Sequence, residues 1–365
     1  MTSKKHSTLV VSLIAVILGI LVGCVILMIT GRNPLNIFVA LIRSLTGFSI
    51  NNPDRGINMM YPLNWLLSSM PVILTGLSVA FAYRTGLFNI GGEGQYIAGS
   101  IACAAVALLI DLPPVIHTIA CVIAAALAGA LWAFLPGFLK AFRNINEVVI
   151  CVMMNYIALY FNDWFVRSFL PIDEFTLART VNFPETVSLG NLGFGTASQF
   201  NYGIIFVIIA VIVFWFVMEK TTFGYSLRAT GFNSEGSRYA GMKNRRNTVL
   251  SMMIAGAFTG VAAAIVLIGN YSYGRIYTGF DNFGFDGISV ALVGGANAFG
   301  VLASGLLFGL MAASETQFQI LGIPSEVSDL IQAAIIIFVA MQYGIRLILD
   351  FLDRKTMKDK VKEVA

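Results

Sequence analysis

Runs of about twenty apolar residues recur along this chain and constrain its fold more than any other feature. The first run, Leu9–Thr30, has 22 residues without a charge, and a helix of ~20 residues crosses ~30 Å of hydrocarbon. This run exceeds the ~7–15 residues of a signal-peptide core, so we expect a retained first helix. Only 12% of the 365 residues are charged, which is about half the usual share of a soluble domain. The chain is therefore predicted to cross a membrane several times.

A window of this length, moved along the chain, predicts ten crossings. We expect an all-α polytopic membrane protein with broken helices, a single transmembrane domain over residues 1–345 and a charged tail over 346–365. The region 284–318 is divided into a short Gly-rich piece and a normal helix. The predicted spans lie near residues 9–30, 62–83, 92–110, 114–139, 145–166, 200–218, 248–269, 284–297, 299–318 and 326–345.

The distribution of positive charge predicts the orientation of these spans. With both termini in the cytoplasm, all but six of the 23 lysines and arginines lie on the inner side, as the positive-inside rule requires. The 31–61 loop departs from this rule, because it carries three arginines and one aspartate on the outer side. On the inner side, Glu147 is expected to pair with Arg143, one helical turn away. The six outer cations are Arg32, Arg43, Arg55, Arg167, Arg179 and Arg275.

Glycines and polar residues interrupt two of the apolar spans. The stretch Gly86–Ser100 (GLFNIGGEGQYIAGS) contains five glycines, two amides and a carboxylate. Lipid tolerates irregular polar backbone only where protein buries it or where it lines a water-filled cavity, and transporters place their pathways at such interruptions. A second stretch, Phe283–Ala298 (FGFDGISVALVGGANA), repeats the pattern after an odd number of crossings. The sequence therefore predicts a transport pathway and an inverted repeat.

The 219–247 loop is the longest predicted cytoplasmic segment and holds six basic and two acidic residues. Ser234 is predicted to cap a short helix through about Tyr239, and Gly241 to end it. Such a helix can dock a soluble partner. The alternative is a solvated basic loop that only sets the topology.

The sequence excludes several classes of enzyme. No GxxxxGK[ST] pattern occurs, so an ATPase would have to be a separate polypeptide. The four cysteines lie in apolar runs at unrelated spacings, and only two histidines are present, which predicts neither a metal site nor a disulfide. No nucleophile–base cluster stands out. We expect a transport subunit without a cofactor or a catalytic residue of its own.

Four motifs occur in an order that resembles one family. Together they are similar to the permease subunits of bacterial ABC importers for branched-chain amino acids, simple sugars and nucleosides, over nearly all of residues 60–345. The forms FNIGGEGQ and NEVV…MMNYIA are most similar to those of the nucleoside permeases. The motifs are GLFNIGGEGQ (86–95), NEVVICVMMNYIA (146–158), LRATGFNSEGSRYAGM (227–242) and GFDGISVALVGGANAFG (284–300).

The resemblance implies a set of partners and a location. It implies a second related permease, an ATPase that carries two nucleotide-binding modules with ATP and Mg, and an extracytoplasmic substrate-binding lipoprotein. These would assemble in the lipid of a bacterial cell membrane, and no nucleic acid is implied. The stretch Pro171–Gln199 is long enough to seat a binding protein, although it is too short to form one.

The resemblance also gives the 219–247 loop the role of coupling to the ATPase. The chain departs from the family at Gly236–Ser237, where relatives more often carry two alanines, and the glycine lowers helix propensity by roughly 1 kcal/mol. The residues that match the coupling motif are Leu227, Arg228, Ala229, Gly231, Asn233, Glu235, Arg238, Ala240 and Gly241.

Polar and aromatic side chains inside the spans are the candidate pathway residues. Amides can bind ribose hydroxyls or base edges, aromatic rings can stack on a base, and intramembrane acids are functional candidates. Each has a structural alternative: the amides can tie down the broken helix, Glu93 can accept hydrogen bonds from nearby glycine N–H groups, and the aromatics can pack between helices. The predicted residues are Asn89, Glu93, Gln95, Asn155, Asp286, Phe88 and Tyr96.

The leading hypothesis is a permease that forms half of the pathway of a nucleoside importer. A permease for simple sugars or branched-chain amino acids is the alternative within the family, and an ion-coupled secondary transporter or a passive pore is the alternative outside it. Ion coupling is disfavoured because the spans offer essentially two acids, Glu93 and Asp286. The identity of the nucleoside and the choice between a homodimeric and a heterodimeric permease pair are left open.

Overall fold

The computed structural model describes residues 8–50, 56–195, 197–324 and 326–341. In these ranges the chain forms thirteen α-helices, one π-helical turn (Leu267–Tyr271) and a two-stranded antiparallel sheet. The helices are α1 (Thr8–Ile29), α2 (Leu35–Thr46), α3 (Met60–Arg84), α4 (Gly92–Leu109), α5 (Ile116–Arg143), α6 (Glu147–Phe169), α7 (Gly203–Lys220), α8 (Thr222–Phe232), α9 (Ser234–Tyr239), α10 (Asn244–Val266), α11 (Phe283–Val293), α12 (Ala298–Ile320) and α13 (Glu326–Ala340). The strands are β1 (Arg179–Asn182) and β2 (Tyr273–Arg275).

Helices occupy all ten predicted spans, which confirms the all-α polytopic class. Within the described residues, seven helices are long and apolar enough to cross a membrane. They are α3 to α7, α10 with its π-helical turn, and α12. Helix α11 has only 11 residues, as predicted for the Gly-rich piece. The end of the tenth predicted span, beyond residue 341, and the tail over 346–365 lie outside the described residues.

The chain divides into two compact units, and the larger comprises Leu45–Gly47 and Ile57–Leu310. Its centre is formed by α3, α4 and α10. In each of these helices, 72–78% of an apolar 18-residue stretch is buried. In α5, α6 and α7 only 28–33% of the corresponding stretch is buried, and the exposed side chains are largely aliphatic and aromatic. Such a surface suits contact with lipid. The two Gly-rich stretches belong to the buried centre of the larger unit.

Small residues bring α5 and α10 into close contact. Gly256 and Gly260 form a GxxxG motif on α10, which is a common device where membrane helices pack closely. A Cβ on Gly256 would lie 2.7 Å from the Cβ of Ala133, and a Cβ on Gly260 would lie 2.7 Å from the carbonyl carbon of Ala125. The motif therefore fixes a helix pair that packs against the first Gly-rich stretch. Ala133 of α5, Met252 of α10 and Leu87 of that stretch share one apolar cluster.

The smaller unit comprises Met1–Ser44, Phe48–Gly56 and Met311–Ala365. Helix α13 lies against Gly19 and Gly23 of α1, where a Cβ on Gly23 would lie 2.5 Å from the side chain of Ile331. Helix α2 occupies part of the 31–61 segment, which the sequence predicts as a loop. At 12 residues α2 is about 18 Å long, so it is too short to cross the hydrocarbon.

An ordered surface forms in the segment between α6 and α7. Strand β1 pairs with β2 and places Arg179 opposite Arg275. Arg179 binds the carboxylate of Asp173 (2.8 Å) and lies 4.7 Å from the ring centroid of Tyr273. The backbone N–H of Phe175 and the Arg179 guanidinium hold the pKa of Asp173 below its ordinary value. The loop is therefore fixed by hydrogen bonds and ion pairs.

Two sequence predictions are wrong in detail, both at the helix ends away from the β1–β2 surface. The N-cap of α9 is Asn233, whose Oδ1 accepts the N–H of Gly236 (2.9 Å), and not Ser234. Glu147 pairs with Lys140 (2.9 Å) rather than with Arg143. The end of α9 agrees with the prediction, since Gly241 follows it with a φ of +80°.

Candidate functional site

A pair of buried amides holds the break between α3 and α4. Helix α3 ends at Arg84 and α4 begins at Gly92. Asn89 Nδ2 donates to Gln95 Oε1 (2.9 Å), and Gln95 Nε2 donates back to Asn89 Oδ1 (2.8 Å). The exposed fractions of the two residues are 0% and 1%. The amides therefore tie the irregular segment to the first turn of α4, which is the structural role weighed for them.

Asn155 of α6 fastens the same segment from the side. Its Nδ2 donates to the carbonyl of Ile90 (3.0 Å), and its Oδ1 accepts the N–H of Gly94 (2.8 Å). Helix α4 can lie this close because Gly94 has no side chain, and a Cβ there would come 2.9 Å from Asn155 Oδ1. The polar backbone of the break is thus satisfied by protein, as the hydrocarbon environment requires.

The first turns of α4 and α11 meet, and Glu93 lies between them. Its Oε1 accepts the backbone N–H of Gly284 (2.7 Å) and that of Phe285 (3.3 Å). The residue is fully buried, and its Oε2 accepts no hydrogen bond within the part of the chain that the structure describes. A Cβ on Gly92 would lie 3.0 Å from the Cα of Gly284, so the helix ends touch. Both helix N-termini present free N–H groups, and the carboxyl group of Glu93 lies between them.

The remaining predicted pathway residues have different surroundings. Tyr96 is fully buried, and its ring centroid lies 5.5 Å from that of Phe283. Phe88 is half-buried and lines a cavity of about 440 Å³. Asp286 is half-buried in the first turn of α11. Phe88 and Asp286 are therefore accessible in this chain, whereas Asn89, Glu93, Gln95, Asn155 and Tyr96 are enclosed by it.

Three aromatic side chains form a row beside the second Gly-rich stretch. The ring of Phe280 lies 5.3 Å from that of Tyr156 and 6.0 Å from that of Phe285, with interplanar angles of 68° and 89°. Tyr156 is 51% exposed, and the other two are half-buried. Phe280 is not predictable from the sequence because it lies in the irregular segment before α11, where no periodicity marks a face. The row offers aromatic edges and faces to a planar solute.

The coupling segment predicted from the sequence touches the first Gly-rich stretch through two glycines. Gly86 has a φ of +77°, and a Cβ on it would lie 3.1 Å from the Cα of Gly231. Conversely, a Cβ on Gly231 would lie 2.6 Å from the carbonyl oxygen of Arg84. These glycines also line the 440 Å³ cavity, together with Phe88 and Ala296. Motifs far apart in the sequence therefore share one cavity wall.

One carboxylate between two arginines reinforces this contact. Glu219, at the end of α7, accepts from Arg84 (2.6 Å) and from Arg228 (2.9 Å). Arg84 also donates to the carbonyl of Ala296 in the second Gly-rich stretch (3.5 Å). The ion-pair network links the ends of α3 and α7 to α8. The sequence singled out Arg228 through the coupling motif but gave no reason to choose Glu219.

The 219–247 segment forms two helices, α8 and α9, where the sequence predicted one. Leu227 is fully buried, whereas Glu235 and Arg238 form an exposed pair at 3.7 Å. The side chain of Asn244 accepts from Ser237 (2.9 Å) and fastens α9 to α10. Exposed or half-buried positions hold the rest of the matched motif, namely Ala229, Asn233, Ala240 and Gly241.

The last residues of α8 and α9 are two large aromatic side chains that are almost fully exposed. The exposed fraction is 91% for Phe232 and 86% for Tyr239. Neither residue is among those that match the coupling motif in the sequence. Exposed aromatic side chains that flank a short helix are typical of an interaction surface.

The described residues hold no group of three or more histidine, cysteine, aspartate or glutamate side chains placed to bind a metal ion. The cysteines Cys24, Cys103, Cys121 and Cys151 are buried and free.

Comparison with known proteins places this chain in one family. Residues 61–340 match the family described as branched-chain amino acid transport system / permease component. The guanosine ABC transporter permease protein NupP of Bacillus subtilis is 39% identical over 96% of this chain and 99% of its own length. The nucleoside ABC transporter permease protein NupB of Lactococcus lactis is 33% identical over 95% and 94%. The glucose ABC transporter permease protein TsgB13 of Haloferax volcanii is 29% identical over 75% and 74%.

The family match covers the broken helices, the aromatic row and the coupling segment, and it confirms the resemblance found in the sequence. With seven helices able to cross a membrane among the described residues, the chain is a multi-pass membrane protein and a transport component. It belongs to the branched-chain amino acid transport system permease family.

Proposed function

We propose that this chain is the permease subunit of a nucleoside importer. The full-length similarity to NupP and NupB, whose names specify guanosine and nucleosides, carries this proposal. The chemistry of the described residues supports it. An uncharged solute with a flat base suits aromatic side chains such as Tyr156, Phe280 and Phe285. A zwitterionic amino acid would favour charged partners, which this row lacks.

We propose ten membrane crossings with both termini in the cytoplasm. The crossings are α1, α3 to α7, α10, α11, α12 and α13, and α2 is an additional short helix. The meeting of Gly92 with Gly284 supports an inverted repeat, because corresponding broken helices of such a repeat approach each other at its axis. On this topology α8 and α9 face the cytoplasm, and the β1–β2 surface faces outward in a bacterial cell membrane.

The proposed pathway runs along the aromatic row, Phe88 and Asp286. The buried residues Asn89, Gln95, Asn155, Tyr96 and Glu93 act on transport by holding the broken helices in place. Their hydrogen bonds within the chain support this division.

The proposed partners are an ATPase with two nucleotide-binding modules, a second related permease and a binding lipoprotein. ATP and Mg would be bound by the ATPase. The exposed Phe232 and Tyr239 support docking of the ATPase on α9. The ordered β1–β2 surface, with Phe175 98% exposed beside it, supports docking of the lipoprotein at the opposite end.

Competition assays test the substrate class. In cells that express this chain with its partners, uptake of labelled guanosine is expected to be inhibited by excess nucleosides and not by glucose, ribose or leucine. Inhibition by glucose alone would instead favour the branch that includes TsgB13. Full uptake activity in proteoliposomes that contain this chain alone, without ATP, would exclude the importer mechanism.

Substituting Phe232 and Tyr239 with serine is expected to weaken ATPase association. Both side chains are almost fully exposed, so the folded chain loses no packing, while an interface loses two aromatic anchors that each contribute at least about 1–2 kcal/mol. Co-purification of the ATPase measures the effect, and binding of the lipoprotein serves as the internal control. Phe175→Ser is the matched variant at the other end and is expected to reverse the pattern. Loss of both partners in both variants would contradict the docking assignment.

A further inference from the structure

A second cavity lies between α5 and the start of α10, away from the pathway residues. Its volume is about 700 Å³, and it is lined by residues of α5 and of the first turns of α10. Phe134, Phe138 and Phe142 form one wall, with successive ring centroids 5.6 and 4.7 Å apart and interplanar angles near 30°. Their exposed fractions are 40%, 37% and 49%. The spacing of four residues places all three rings on one face of α5.

Unpaired cations border one end of this cavity. Lys243, Arg245 and Arg246 are exposed, and no ion pair to them occurs among the residues that the structure describes. The guanidinium of Arg245 lies 5.3 Å from the ring centroid of Phe142. Arg238 also lines the cavity, but it is partly neutralised by Glu235 at 3.7 Å.

The start of α10 adds to the positive charge of this end. Lys243 stands at its N-cap and provides no side-chain cap. Helix N-termini attract anions through free N–H groups and the helix dipole. The three cations and this helix end therefore make one rim of the apolar groove positively charged.

The polarity of the groove follows the direction of α5. Phe142 lies in the last turn of α5, next to the cations, and Phe134 lies about 12 Å further along the helix axis. The groove is thus cationic at the end of α5, and it is aromatic along the part of α5 that lies deeper in the hydrocarbon. Free phosphate would use only the first part, and a soluble protein would not reach the second. An anionic lipid matches both parts.

We propose that this groove binds an anionic phospholipid. The phosphate lies against Lys243, Arg245, Arg246 and the start of α10, and an acyl chain lies along the rings of Phe134, Phe138 and Phe142. Basic pockets between membrane helices commonly bind lipid head groups. With the orientation proposed above, the lipid belongs to the inner leaflet, but the binding itself does not depend on that orientation or on the transported solute.

The test uses the purified full-length chain titrated with phosphatidylglycerol or phosphatidylcholine. Retained lipid is counted by native mass spectrometry, and the melting temperature is followed during the titration. Phosphatidylglycerol is expected to bind at one site and to stabilise the chain, whereas phosphatidylcholine and inorganic phosphate do neither. Arg245→Gln with Arg246→Gln is expected to weaken phosphatidylglycerol binding about 25-fold, since each cation near a lipid surface contributes roughly fivefold.

Lys220→Gln is the matched control. Lys220 lies 5.3 Å from the ring centroid of Trp215, the same distance as for Arg245 and Phe142, but it is outside the groove. This variant is expected to bind phosphatidylglycerol like the unmodified chain, as is the charge-conserving pair Arg245→Lys and Arg246→Lys. Phe138→Ala is expected to weaken lipid binding without changing the lipid-free melting temperature.

Four results would overturn the proposal. They are equal binding of phosphatidylcholine, competition by inorganic phosphate alone, an equal loss of binding in Lys220→Gln, and unchanged phosphatidylglycerol binding in the Arg245→Gln, Arg246→Gln variant. Loss of ATPase association in that variant, with lipid binding intact, would assign the groove to the ATPase instead.

Discussion

Gly231→Ala is expected to reduce nucleoside uptake about tenfold or more while the chain still inserts into the membrane. The new Cβ would lie 2.6 Å from the carbonyl oxygen of Arg84, 2.8 Å from the carbonyl carbon of Thr85 and 2.9 Å from the backbone nitrogen of Gly86. All three are backbone atoms that no side-chain rotation can move. Overpacking of this kind costs about 1–3 kcal/mol, so α8 must shift away from the break between α3 and α4.

The effect is expected to appear as loss of coupling. The rate of ATP hydrolysis in the assembled transporter should no longer rise with substrate, because the contact between Gly86 and Gly231 joins the segment proposed to dock the ATPase to the cavity wall. Gly86→Ala should behave similarly, since Gly86 has a φ of +77° and meets Gly231 from the other side.

Gly236→Ala is the matched control in the same segment. A Cβ there would meet only the side chain of Asn233, at 3.3 to 3.5 Å, and alanine raises helix propensity. Uptake is expected to remain near that of the unmodified chain. Normal substrate-stimulated ATP hydrolysis in Gly231→Ala, or an equal defect in Gly236→Ala, would show that the glycine contact does not transmit the signal.

The membrane-spanning helices were predictable because length and hydropathy decide them. Helix α5 carries few charges and many aliphatic residues, and its predicted and observed ranges overlap almost entirely. Helix α2 was missed because its 12 residues are too few to span the membrane and carry an arginine. A window of twenty residues does not detect a helix of this length.

The site was predictable as a set of segments but not as a set of contacts. The Gly-rich stretches stood out because glycine and amide residues are rare in lipid. Gly92 meets Gly284 only because helices that are 192 residues apart in the sequence pack together. The ion-pair partner of Glu147 likewise could not be predicted from the sequence, although it is close along the chain. The chain reverses at Asn144, which has a φ of +51°, so helical spacing no longer applies and Lys140 becomes the partner.

Glu93→Ala is expected to lower both the melting temperature and the maximal uptake rate. The substitution leaves the N–H groups of Gly284 and Phe285 without the carboxylate that they now share at 2.7 and 3.3 Å. Leaving a buried donor unpaired costs about 1–3 kcal/mol. The substitution also removes the only side chain described between the two helix N-termini that accepts from both N–H groups. The first turns of α4 and α11 are therefore expected to separate.

Glu93→Gln separates the two contributions. The amide oxygen can still accept from Gly284 and Phe285 but cannot carry a charge, so a melting temperature well above that of Glu93→Ala is expected. Asp163→Asn is the control, since Asp163 is a helix carboxylate that is half-exposed and paired with Arg167, and its loss should leave both measurements unchanged.

The two roles weighed for Glu93 predict different kinetics. If the carboxylate holds α4 against α11, Glu93→Ala lowers the maximal rate and the melting temperature together, and the order in which nucleosides compete stays the same. Direct contact with the substrate would instead change that order, or the concentration for half-maximal uptake, at an unaltered melting temperature. The complete burial of Glu93 and its two bonds to α11 favour the first outcome. A changed order of nucleosides with normal stability would place the carboxylate on the pathway itself.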